Sequence, residues 1–154
     1  MNIYETPKSD LTVEDNKPGS IVKAVVIGSV IEIAGTLITG LLIGFAYGFV
    51  LVSQNSSMEE IEAAMENLSP WSGYGLASLA AGLLVSVAAG YVCAKIANQA
   101  SYKPAFILAF ISFLLSVVLG VSSYPWWSLI LFGAISACAV LIGARGYLRK
   151  LAPS

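Results

Sequence analysis

Four long apolar stretches separated by short polar ones dominate this chain. They lie at about 21–52, 74–97, 104–121 and 126–148, and charges are almost absent from them. The first holds Lys23 and Glu32, the second only Lys95, the third none, and the fourth Arg145 near its end. A helix needs about 20 predominantly apolar residues to cross a hydrocarbon core about 30 Å thick. The pattern therefore predicts four transmembrane helices within a domain at 21–149. Residues 1–20 are polar, contain Pro7 and Pro18 and lack an apolar stretch of the signal-peptide kind, so they read as a cytosolic tail.

Between the first two spans, residues 53–72 carry a different pattern. Ser57-Met58-Glu59-Glu60 has capping-box spacing, with Ser57 as the cap and Glu60 reaching back to it. Met58, Ile61, Met65 and Leu68 then recur at steps of three and four, while Glu59, Glu62 and Glu66 lie mostly opposite. A short external amphipathic helix at about 58–68 is expected, stopped by the Asn67-Leu68-Ser69-Pro70 sequence. It either lies on the bundle or membrane surface, or offers Glu59, Glu62 and Glu66 as an acidic docking site. Asn55-Ser56-Ser57 and Asn67-Leu68-Ser69 also match the glycosylation pattern, which matters only in a eukaryotic source.

Composition sharpens the class. Of the 154 residues, 57% are hydrophobic and 11% charged, where soluble domains run near 25% charged. The expected fold is all-α and integral to the membrane. Eight basic and nine acidic residues leave no basic surface for nucleic acid. With no histidine, the commonest general base and metal ligand is missing, and no Walker, dinucleotide-binding or Cys-x-x-Cys motif appears. Neither an enzyme, a cofactor nor a metal site is expected. Cys93 and Cys138 fall at different depths and read as packing residues.

Placement of the charges gives an orientation. Lys8, Lys17 and Lys23 precede or open the first span, Lys95 and Lys103 flank the second-to-third connection, and Arg145, Arg149 and Lys150 close the fourth. The positive-inside rule then puts both termini in the cytosol, with the protein in a plasma membrane. Trp71, Tyr74, Tyr124, Trp126 and Trp127 mark the outer boundary, and Tyr102 and Tyr147 the inner one.

Small residues suggest how the spans pack, because lipid supplies no hydrophobic drive for helix association. Gly28, Thr36, Gly40, Gly44 and Gly48 recur at multiples of four in the first span; Ser78, Gly82, Ser86, Gly90 and Ala94 do so in the second. These stripes are expected to face one another in the tightest contact of the protein, with oligomerisation through the first as the alternative.

One acid lies inside the membrane. Glu32 is nine residues past Lys23, about 13 Å along a helix. Intramembrane acids are costly and usually face the bundle interior. A neutral acid is expected there unless a cation or water approaches. Tyr91, Ser86 and Ser112 are the candidate partners at matching depth. Glu32 is therefore either a proton or cation site, or a neutral tie between helices.

Two local resemblances accompany these readings. Tyr4, Pro7, Lys8, Ser9 and Leu11 form an opening similar to that of many small bacterial inner-membrane proteins. Glu32-Ile33-Ala34-Gly35-Thr36 resembles the first-helix glutamate motif of the small multidrug resistance transporters, which also have four spans. The latter resemblance implies a glutamate that binds protons or a cationic drug within an antiparallel dimer. This chain differs in its longer first span, its acidic first connection and its strong charge bias. Two functions follow as expectations. The first is a non-enzymatic accessory, assembly or scaffold subunit, homo-oligomeric or bound to a larger membrane partner. The second is a small proton- or cation-coupled transporter or channel subunit using Glu32.

Overall fold

The structure, a computed structural model, describes residues 18–66, 69, 71–120 and 125–151. These form five helices: α1 (Ile21–Ser53), α2 (Met58–Glu66), α3 (Gly73–Ala97), α4 (Lys103–Gly120) and α5 (Trp126–Leu151). No strand occurs among the described residues. The 1–17 portion of the tail, including the Tyr4–Leu11 motif, lies outside them, as do Asn67, Leu68, Pro70 and Tyr124.

Local sequence sets the helix ends. The side chains of Ser20 and Ser72 accept from the amides of Lys23 (3.3 Å) and Gly75 (3.1 Å), satisfying amides that a first turn leaves unpaired. The capping box closes both ways: the Ser57 amide donates to Glu60 Oε2 at 2.8 Å and the Glu60 amide to Ser57 Oγ at 3.3 Å. Asn98 ends α3 in the left-handed region at φ 43°, a conformation asparagine tolerates. α5 runs to Leu151, past the expected end near 148. Its last turn carries Arg149 and Lys150, and cations there complement the helix dipole.

α1, α3 and α5 are long and apolar enough to cross a membrane, which marks a membrane protein. α4 is shorter, apolar over Lys103–Val118 among the described residues, so three of the four expected spans reach the length needed to cross. α1, with 33 residues, is about 50 Å long and exceeds the hydrocarbon thickness.

The closest approach is between α3 and α5, which corrects the expectation that the α1 and α3 stripes make the tightest contact. A methyl group on Gly90 would collide with the Val140 carbonyl, and one on Gly143 with the Val87 carbonyl. Gly28 packs more loosely, against side chains of Leu108 and Cys93, while Gly40, Gly48 and Gly82 have open space where a Cβ would stand. Gly44 is near only the Tyr74 hydroxyl. The reason is rotational drift. Steps of four residues turn about 40° past a full circle, so by Gly48 the stripe has moved to the far side of the helix from Gly28.

Packing is consequently uneven along the bundle. Ala24, Val25, Gly28 and Glu32 are the buried residues of α1, all in its first half. Around them gather Ala89, Cys93, Ala97, Leu108, Ala109 and Val140. The chain entrance is fastened to the α3–α4 turn by Gly19 N–H donating to Ala97 O (2.8 Å) and Gln99 Nε2 donating to Gly19 O (3.0 Å). At the opposite end α1 meets α3 again through Tyr47 and Tyr74, ring centroids 5.1 Å apart. Lys23, Lys95, Lys103, Arg145, Arg149 and Lys150 sit at the tightly packed end, whereas α2 with its glutamates joins the helices at the other.

Candidate functional site

Glu32 is 7% exposed. It points from α1 into the centre of the bundle and meets a hydroxyl from α3 and another from α4. Ser86 Oγ donates to Glu32 Oε1 at 3.0 Å, and Ser112 Oγ is hydrogen-bonded to Glu32 Oε2. Ser86 Oγ also pairs with Ser136 Oγ of α5 at 3.0 Å. One carboxyl group thus connects all four long helices at a single level.

Proton counting constrains this network. Ser112 Oγ also donates to Leu108 O at 2.9 Å, and a serine hydroxyl has only one proton. With that proton on Leu108 O, the hydrogen between Ser112 Oγ and Glu32 Oε2 has to come from the carboxyl group. Ser136 can then donate to Ser86 and Ser86 to Oε1. A neutral acid can donate to Ser112, and a carboxylate can accept from both serines while Leu108 O keeps its helix bond, so either form pairs every group.

The network forms one wall of a cavity of about 460 Å³ between α1, α3, α4 and α5. Thr36, Ser78 and Ser116 add hydroxyl-bearing residues to its lining, and Leu37, Leu83, Leu115, Leu129 and Phe132 supply apolar wall. Its volume falls within the range of about 300 to 1,000 Å³ usual for small-molecule sites. Glu32 is the sole ionisable side chain among its described lining residues. Gly82, without a side chain, helps to keep this space open.

Of the residues expected around Glu32, the structure brings Ser86 and Ser112 to it and leaves Tyr91 elsewhere. Tyr91 packs edge-on against Tyr147, with centroids 5.7 Å apart, and lies 5.8 Å from Lys150 Nζ. It sits five residues beyond Ser86, about 7.5 Å further along α3. Ser136 was missed by sequence reasoning, although counting back from the basic end of α5 places it near the depth of Ser86. Glu59, Glu60 and Glu62 are exposed on α2, and Met58 of its apolar stripe is 81% exposed. The side chains of Met65 and Glu66 lie outside the described residues. Cys93 and Cys138 are both free thiols, one buried and one exposed. No cluster of three or more metal-ligating side chains occurs among the described residues.

Comparisons with protein-family models, with curated proteins and with solved structures find no match to this chain.

Proposed function

We propose that this chain is a small proton- or cation-coupled transporter, or the subunit of one, with Glu32 as the exchanging group. The observation that carries this reading is the placement of Glu32 on the wall of a cavity, beside hydroxyl groups from three other helices. A carboxyl that only tied helices together would need no adjoining space. In the carrier reading, α1, α3, α4 and α5 all cross the membrane and both termini face the cytosol. The gathering of the described basic side chains at one end supports that orientation. The opening motif's resemblance favours a bacterial inner membrane. The Ser86, Ser112 and Ser136 hydroxyls offer oxygen ligands to a bound cation or hydrogen bonds to a neutral acid, so both occupants fit one site. No step of this reading calls for catalysis or a cofactor.

The test is reconstitution into proteoliposomes with a pH-sensitive dye inside. An imposed pH step should decay faster with the native chain than with Glu32→Gln at matched incorporation. Equal decay of the two, with neither pH nor Na⁺ gradients distinguishing them, removes the proposal. A Na⁺ gradient acting in place of the pH step would identify the coupling ion as the metal cation.

A second reading, as an assembly or scaffold subunit, draws on the outer half of α1. Phe45 and Phe49 are 77% and 75% exposed there, and Gly40 and Gly48 leave open space for a partner helix. A stoichiometric partner retained in mild detergent and lost on Gly40→Leu/Gly48→Leu substitution would favour it.

A further inference from the structure

The carrier reading leaves the solute unspecified, and the cavity narrows it. Three observations bear on its chemistry. First, the described lining contains no cationic side chain, so nothing there balances an anionic solute. Second, the network around Glu32 is internally complete when the acid is neutral: Ser136, Ser86, the carboxyl, Ser112 and Leu108 O form one chain of donors and acceptors. In that state Glu32 presents no unpaired charge to the cavity. Third, one hydroxyl is left over. Ser78 Oγ is buried and has no hydrogen-bond partner among the described residues. Elsewhere in the bundle such hydroxyls turn back onto their own helix: Thr39 to Gly35 O at 2.8 Å, and Ser116 to Ser112 O at 3.0 Å. Ser78 does not, and a buried donor without an acceptor is costly.

Ser78, Gly82 and Ser86 occupy successive turns of α3 along the cavity wall. The first and last are eight residues apart, about 12 Å along the helix. Between them, no other part of the described bundle lies within 4 Å of where a Gly82 Cβ would stand. The cavity rim includes Ile33 and Leu37, which are 43% and 63% exposed on the apolar outer surface. Access therefore leads from the hydrocarbon phase.

We infer that the cavity binds a neutral, largely apolar molecule bearing one acceptor oxygen, which takes its hydrogen bond from Ser78 while its apolar body lies over Gly82 toward Glu32. This rests on the carrier reading for its role in transport, though binding itself does not require it. Ser78 reaches the ligand oxygen by turning about a single bond, exchanging an unpaired donor for a paired one. A cationic ligand would instead seek the Glu32 carboxyl and offer no acceptor to Ser78. A neutral one leaves the four-helix network undisturbed.

The experiment uses the full chain in nanodiscs of zwitterionic lipid and a decanol carrying a photoactivatable diazirine in its chain. Labelled peptides are identified by mass spectrometry. The native chain should be labelled within residues 78–86, and excess unmodified decanol should suppress the labelling. Ser78→Ala should weaken competition by decanol about fivefold, the loss expected for one hydrogen bond. Gly82→Leu should abolish labelling, because its side chain fills the cavity without touching backbone. Unchanged labelling in both variants overturns the inference. So does stronger competition by decylammonium than by decanol, which would make the ligand cationic, or labelling that only bilayer phospholipid displaces, which would make the occupant an acyl chain. Glu32→Gln separates this inference from the carrier reading. Retained labelling with proton movement equal to that of the native chain removes coupling and leaves the ligand class standing. Proton coupling without decanol labelling in the native chain does the reverse.

Discussion

Glu32 shows how one side chain can be expensive alone and stabilising in company. Its carboxyl has two oxygens, and each finds a serine on a different helix. Interhelical hydrogen bonds in membranes contribute about 0.6 to 2 kcal/mol each. Glu32→Gln keeps an oxygen and a donor at the same place, so its thermal midpoint in mild detergent should stay close to the native value. Glu32→Ala leaves Ser86 without its acceptor and should lower stability by about 1 to 3 kcal/mol, visible as an earlier unfolding transition. Equal midpoints for the two variants would show that the network contributes little. Depth counting from the basic end made Ser86 and Ser112 legible as partners, because residues at equal distance from a shared end meet at the same level. It misled at Tyr91, whose ring stays at the level of Tyr147. It overlooked Ser136 because α5 presents mostly alanine and glycine around it. The free hydroxyl of Ser78 had no signature in the sequence, since any helical serine can bond to its own backbone.

Among the helices, spacing was easier to read than facing. Apolar runs bounded by charges located α1, α3, α4 and α5 within a few residues, and the Ser57–Glu60 box located the start of α2. Which glycines touch another helix was not legible. Repeats of four look aligned on paper but drift around the cylinder. Gly90 and Gly143 face the backbone of the partner helix, whereas Gly40 and Gly48 face nothing among the described residues. Gly90→Ala and Gly143→Ala should each destabilise by about 1 to 3 kcal/mol through overpacking. Gly40→Ala and Gly48→Ala should change the same thermal unfolding measurement in detergent very little. A reversed order would mean that the α1 stripe, and not the α3–α5 contact, holds the bundle. In α2, Ser57→Ala removes an N-cap that typically contributes about 1 kcal/mol. Faster amide hydrogen exchange should follow at Ile61 and its neighbours, with the long helices unaffected.

For the whole molecule, the architecture is a bundle packed tightly at its basic end and open beyond Glu32. Small residues permit the tight end: Ala24, Ala89, Ala97 and Ala144 are all nearly or fully buried. Toward the other end the cavity lies beside the open Gly82, and α1 and α3 meet again at Tyr47 and Tyr74. Orientation tests the charge argument at this scale. Single cysteines replacing Lys23, Lys103 and Arg149 in a chain lacking Cys93 and Cys138 should react with a membrane-impermeant thiol reagent only from the cytosolic face. One replacing Glu59 should react only from the opposite face. Reaction of the Lys103 and Arg149 positions from opposite faces would mean that α4 and α5 do not form the expected pair of crossings. What matters most is whether Glu32 can be reached from the bilayer through the cavity beside it. Dicyclohexylcarbodiimide tests it most directly, because this apolar reagent enters from the bilayer and adds to protonated carboxyl groups. In native membranes one dominant adduct is expected, mapped by peptide mass spectrometry to Glu32, lost in Glu32→Gln and blocked in Gly82→Leu. A native chain that takes up no reagent at Glu32, while its exposed α2 carboxyls remain reactive to a water-soluble carbodiimide, would contradict it.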